Sequence, residues 1–182
     1  MKWGRSLFKN IKNFLYFQLS INVSACLIAV FGPLVGVEMP FTVTQFLWIN
    51  LVMDSLAAIA LASEPADERV LAENPRDKKE FIINKSLFKA IVGFGSFIWI
   101  LCTAVLWGSN HGVELVSGID LTIFFASYMV LNWWNLFNAR VIGKNKSVFS
   151  DLFKNWKFLS AALVVLILSL IHISEPTRRT PI

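Results

Sequence analysis

The sequence predicts an all-α polytopic membrane helix bundle, and three observations predict it. Charged residues make up only 16% of the 182 residues, while 55% are hydrophobic; soluble domains carry about 25% charge. The 16 Phe and 7 Trp sit mostly in long runs without charge. The basic residues fall between those runs and only on alternate connections. Such a composition excludes a disordered chain, a collagen-like chain and a disulfide-rich secreted domain. The net charge of +5 is dispersed among the connections, so it faces a lipid bilayer and not a nucleic acid.

A helix needs about 20 apolar residues to cross a hydrocarbon core of about 30 Å. Residues 14–37 form the first candidate span, with no charge in it. Residues 41–62 form the second, with Asp54 as its one charge. Residues 90–107 form an uncharged third. The fourth, 119–137, reaches full length by including Ile119 and Asp120. A fifth run begins at Phe158 and continues to Ile173. No run has the flanks and cleavage site of a signal peptide.

Charge sidedness sets the orientation. Lys2, Arg5, Lys9 and Lys12 precede the first span. The connection around Pro40 has no Lys or Arg, whereas 63–89 carries Arg69, Arg76, Lys78, Lys79, Lys85 and Lys89. Residues 108–118 again have none, and 139–157 carries Arg140, Lys144, Lys146, Lys154 and Lys157. The positive-inside rule therefore puts the N-terminus and the 63–89 and 139–157 loops in the cytoplasm. A bacterial inner membrane and a plasma membrane both suit this arrangement.

Chemistry is sparse. Cys26 and Cys102 lie on different spans and read as inert thiols. His111 and His172 have no ligand partners at metal spacing, and no GxGxxG, Walker loop or nucleophile elbow occurs. Asp54 stands apart, because a carboxylate in a span costs at least about 2.5 kcal/mol. No Lys, Arg or His lies in the other full spans to pair with it, which leaves a proton or a metal ion. Asn50 precedes it by four residues, and on an α-helix that spacing stacks an amide oxygen over the carboxylate. Ca²⁺ takes 6–8 oxygens, so further ligands are needed; Asn22 and Asn132 are candidates, Ser24 and Gln45 weaker ones. A lone Asn in a membrane helix also serves as interhelical glue. The 63–86 stretch mixes Glu64, Asp67, Glu68, Glu73, Asp77 and Glu80 with bases, and reads either as a solvated loop or as a docking surface for a cytoplasmic domain.

Leu47-Trp48-Ile49-Asn50-Leu51-Val52-Met53-Asp54, with Ala57, Ala58 and Ala62-Ser63-Glu64-Pro65, resembles the sixth transmembrane segment of P-type calcium-transporting ATPases. The similarity is to the plasma-membrane type and its bacterial relatives. The first span resembles the fifth segment through Trp3-Gly4-Arg5-Ser6 and Phe17-Gln18-Leu19-Ser20-Ile21-Asn22-Val23. The fourth resembles the eighth through Asn135-Leu136-Phe137-Asn138-Ala139-Arg140. The resemblance implies segments five to eight plus a truncated ninth at 158–167, one C-terminal membrane domain over 1–167.

Carried over residue by residue, it makes Asp54 and Asn50 the sixth-segment cation ligands and matches Asn22 to the fifth-segment asparagine. Ala25 and Asn132 stand where two-site pumps have glutamates, and Met53 where they have a threonine ligand. The resemblance thus implies one Ca²⁺ per cycle, carried by an ATP-driven pump. The phosphorylation motif, the nucleotide pocket with its ATP and Mg²⁺, and the fourth segment with its glutamate are not in this chain. The fragment is therefore expected to lack catalysis alone and to partner the N-terminal part of the same pump. Mn²⁺, Na⁺ or H⁺ as cargo, or a non-catalytic channel or assembly subunit, are the alternatives. Residues 168–182, through Ile171-His172-Ile173-Ser174-Glu175-Pro176-Thr177-Arg178, resemble the translation of a sequencing adapter, which places the expected native boundary near Ile167.

Overall fold

A computed structural model describes residues 2–35, 41–65, 81–109, 118–144, 147–150 and 152–174. The first helix, α1, runs from Lys2 to Phe31. At 1.5 Å per residue its 30 residues measure about 45 Å. That exceeds the hydrocarbon core, so its basic first third projects beyond the expected span of 14–37. The helix ends because Gly32 makes the last regular bond, to Ile28 O at 2.8 Å, and Pro33 has no N–H to continue it. A 3₁₀ turn, Pro33–Val35, follows.

Thr42 starts the second rod with a reciprocal cap. Its hydroxyl accepts the Gln45 N–H at 3.3 Å, and Gln45 Oε1 accepts the Thr42 N–H at 2.8 Å. The rod is continuous over Val43–Ala62 but not uniform. It comprises α2 (Val43–Leu47), a π-helical stretch (Trp48–Met53) and α3 (Asp54–Ala62). Asn84 caps α4 (Lys85–Ser109) by accepting the Leu87 N–H at 2.9 Å. The next helix, α5, covers Gly118–Val141, and Gly143 beyond it takes φ +70°, where a side chain would be strained. Asn155 caps α6 (Trp156–Ser174) through the Phe158 N–H at 3.1 Å.

Among the described residues, three helices are long and apolar enough to cross a membrane: Trp3–Phe31, Val43–Ala62 and Lys85–Trp107. The α5 helix has comparable length, 24 residues, but Asn132, Asn135, Asn138 and Arg140 lower its apolarity. Trp156–Ile171 is a shorter apolar helix. Leu168–Ser174 continues α6 without a break. Residues 175–182 and most of the 63–89 and 108–118 connections lie outside the described residues.

The first helix is the hub, packing against α3, α4 and α5, while α3 also meets α5 and α6. The core between them holds Phe17, Ile21, Met53, Leu61, Ile98, Phe124, Tyr128 and Phe158. Phe41 sets the start of the second rod on α5, with ring centroids 4.9 Å from Tyr128 and 5.3 Å from Phe124. Lipid tails are as apolar as Leu, so close van der Waals approach and interhelical hydrogen bonds must hold such helices together. Gly95 supplies the first, lying directly against α1 at Ser20 and Val23. Tyr128 supplies the second: its hydroxyl donates to Ile21 O at 3.2 Å and lies 3.1 Å from Ser24 Oγ.

Candidate cation site

A π-helical stretch, Trp48–Met53, leads directly into Asp54. In a regular α-helix a backbone N–H bonds the carbonyl four residues back. Here the Asp54 N–H reaches Ile49 O, five residues back. The bond spans one residue more than in an α-helix, so the turn is wider. Ile49, Met53 and Asp54 are buried, while Asn50, Leu51 and Ser55 are exposed. The structure therefore does not bring Asn50 and Asp54 to one face: Asp54 lies on the interior side and Asn50 on the exposed side. Neither Pro nor Gly occurs in Trp48–Met53, so nothing in its composition marks the change of period.

Asp54 is 4% exposed. Both its carboxylate oxygens are buried and accept no hydrogen bond from the described residues. Its flanking neighbours Met53 and Ala57 are buried as well and offer no donor. A carboxylate in such surroundings must take up a proton or a cation, since an ionised group left alone in a low dielectric is costly.

Asn50 directs its Nδ2 to Phe46 O at 3.0 Å. Asn22 is also exposed, on α1. Ala25 is buried on the same helix. Asn132 on α5 is fully buried; its Nδ2 donates to Tyr128 O at 2.9 Å, and its Oδ1 has no partner among the described residues. Asn135, one turn on, is fully buried, and neither amide atom is bonded among the described residues. The helices carrying Asp54, Asn132 and Asn135 are in contact. Asn135 was not among the candidates read from the sequence; an amide three residues after Asn132 on an otherwise apolar face was the available signal.

Among the described residues, the Asp54 carboxylate and the amide oxygens of Asn132 and Asn135 are buried and unpartnered, and all are hard donors suited to Ca²⁺, Mn²⁺, Na⁺ or a proton and poorly suited to soft metals. Among the described residues no three His, Cys, Asp or Glu side chains gather. A site built on Asp54 must therefore take most of its remaining ligands from amides, backbone carbonyls or another segment.

Residues 38–179 match the family model described as cation transporting ATPase, C-terminus. The chain is 30% identical over 179 residues to plasma membrane calcium-transporting ATPase 1 of Mus musculus, covering 93% of this chain and 15% of that protein. It is 32% identical over 168 residues to plasma membrane calcium-transporting ATPase 2 of Oreochromis mossambicus, with 87% and 15% covered. It is 31% identical over 171 residues to plasma membrane calcium-transporting ATPase 4 of Homo sapiens, with 88% and 14% covered. The chain spans about 15% of the length of these relatives.

Proposed function

The chain belongs to the cation-transporting ATPase C-terminal family, and from that premise we propose that it is the C-terminal membrane part of an ATP-driven Ca²⁺ pump, carrying one mid-membrane cation site centred on Asp54. The observation that carries the proposal is the buried carboxylate with two unpartnered oxygens. Similarity to calcium-transporting relatives supports Ca²⁺ as the cargo. A single site is supported by what accompanies Asp54: Ala25 is a buried non-ligand and Asn132 is neutral.

In this proposal Asp54 supplies the charged oxygen, and Asn50 and Asn22 are the amide ligands that the family resemblance implies, although the structure holds those two on exposed faces and Asp54 on the interior side. An amide turned toward lipid is unfavourable, which supports a further membrane segment of the same pump lying over those two residues. ATP and Mg²⁺ act in cytoplasmic domains outside this chain, where an aspartyl phosphate would form. The N-terminus and the 63–89 and 139–157 loops face the cytoplasm, so ion arrival at Asp54 is felt on the side where ATP is used.

The test is phosphorylation of the full-length pump from ATP, titrated separately with Ca²⁺, Mn²⁺, Na⁺ and pH, for the wild type and for Asp54→Asn. Ca²⁺-dependent phosphoenzyme in the wild type and its loss in Asp54→Asn are expected. Equal Ca²⁺ dependence in both would remove Asp54 from the site, and dependence on another cation would change the cargo while keeping the site.

A further inference from the structure

Two residues beyond α3, Glu64 turns inward. Its side chain is 6% exposed and that of Arg140 is 5% exposed. Arg140 Nε donates to Glu64 Oε1 at 2.6 Å, and Asn155 Nδ2 donates to the same oxygen at 2.9 Å. Lys144 Nζ lies 3.6 Å from Oε2. The backbone is gripped as well: Asn10 Nδ2 on α1 lies within bonding distance of Ala62 O, at 3.4 Å, and Glu64 O, at 3.3 Å. Asn13 Nδ2 on α1 donates to Arg140 O at 3.4 Å. The Arg140 guanidinium is itself steadied over the Phe158 ring, 5.4 Å from its centroid. One carboxylate therefore joins the ends of α3 and α5 and the cap of α6, and α1 clasps the same knot.

The α3 helix needs such an anchor. From Leu56 to Ala62 it reads Leu-Ala-Ala-Ile-Ala-Leu-Ala, a surface of small and aliphatic groups that fixes rotational phase only weakly. Phase matters, because a rotation by one residue, about 100°, would exchange the buried position of Asp54 for the exposed one of Ser55. Directional, charge-assisted bonds made by one buried acid supply the phase that the alanines do not.

We propose that Glu64 is a positioning residue for the cation site: held by Arg140, Asn155 and Lys144, it fixes the rotation and height of α3 and so keeps the Asp54 carboxylate turned into the bundle. Glu64 lies ten residues beyond Asp54, about 15 Å along the helix axis, and touches no cargo. The inference rests on the reading of Asp54 as the cation's carboxylate. It also takes Glu64 out of any exposed docking surface in the following connection.

The experiment uses the full-length pump and measures both the Ca²⁺ concentration for half-maximal phosphorylation from ATP and the maximal phosphoenzyme per pump. Variants are Glu64→Gln, Glu64→Asp, Asn155→Ser and Asp54→Asn. Glu64→Gln is expected to raise the half-maximal Ca²⁺ by about tenfold, as loss of a supporting contact does at other metal sites, while maximal phosphoenzyme is retained. Glu64→Asp restores part of that loss. Asn155→Ser keeps a cap for α6 but cannot reach Glu64, and should shift half-maximal Ca²⁺ by about threefold.

An unchanged half-maximal Ca²⁺ in Glu64→Gln overturns the inference, as does a fall in phosphoenzyme with no shift in its Ca²⁺ dependence. If Glu64→Gln yields no phosphoenzyme at all, Asn155→Ser decides by the same two readouts. Asp54→Asn separates the two failures. If it retains Ca²⁺ dependence, the site reading is lost; if it loses it while the Glu64 and Asn155 variants titrate like wild type, only the positioning role is lost.

Discussion

Gly95 allows a close approach of α4 to α1, and adding one methyl group there tests that packing. A Cβ at Gly95 would lie 2.8 Å from Val23 Cγ1 and 3.0 Å from both Ser20 O and Val23 Cβ. Neither neighbour yields easily. Ser20 O is helix backbone, and a helical Val is confined largely to one χ1 rotamer. The two helices must then part, which costs about 1–3 kcal/mol by analogy with overpacked cores. Replacing a mid-helix Gly by Ala returns about 1 kcal/mol of helix propensity. Gly95→Ala should therefore destabilise by a net of roughly 0–2 kcal/mol. Gly93, two residues away, has nothing within 4 Å of a Cβ. Gly93→Ala should gain up to about 1 kcal/mol. The contrast between the two variants, about 1–3 kcal/mol, cancels propensity and isolates the contact. Thermal denaturation of the full-length pump in detergent, followed by tryptophan fluorescence, should rank Gly93→Ala at or above wild type, Gly95→Ala below it and Gly95→Val lowest. Gly95→Ala melting together with Gly93→Ala would refute the close approach.

Three further outcomes follow from individual bonds. Tyr128→Phe removes the hydroxyl shared between Ile21 O and Ser24 Oγ; it should lower stability by about 0.6–1.5 kcal/mol, read in the same melting assay. Trp133→Phe deletes the 2.8 Å indole bond to Ala162 O that ties α5 to α6, with a loss of about 0.6–1 kcal/mol expected and faster proteolysis between the two helices. Arg140→Ala leaves the buried Glu64 carboxylate without its shortest partner; breaking such a pair costs about 3–5 kcal/mol, which should show as a sharp fall in folded yield on size-exclusion chromatography.

Much of the bundle was legible in the chain because a membrane imposes simple rules. Uncharged runs of sufficient length gave helices, and the lone Asp54 was conspicuous because burying charge is expensive. Period was harder to read. The four-residue spacing suggests one face for Asn50 and Asp54, yet Asp54 is buried and Asn50 exposed beside the wide turn at Trp48–Met53. No Pro or Gly marks that turn in the sequence. Glu64 was visible as an acid in a mixed-charge stretch, yet its partners Arg140 and Asn155 lie 76 and 91 residues away. No spacing rule connects positions so distant, and only the convergence of four helices brings them together. The end of α1 was read late, at 37 and not 31, because apolarity continues through Gly32-Pro33 although the backbone bonds cannot. Its beginning was hidden by basic residues that are helical but lie outside the apolar run.

Equilibrium binding of radioactive calcium to the purified full-length pump, normalised to phosphorylatable enzyme, tests the Asp54 site most directly. One ion per pump in the wild type and none retained by Asp54→Asn, with folding verified by melting, is the predicted result. Two ions per pump, or an undiminished count after Asp54→Asn, would contradict a single cation site built on that carboxylate.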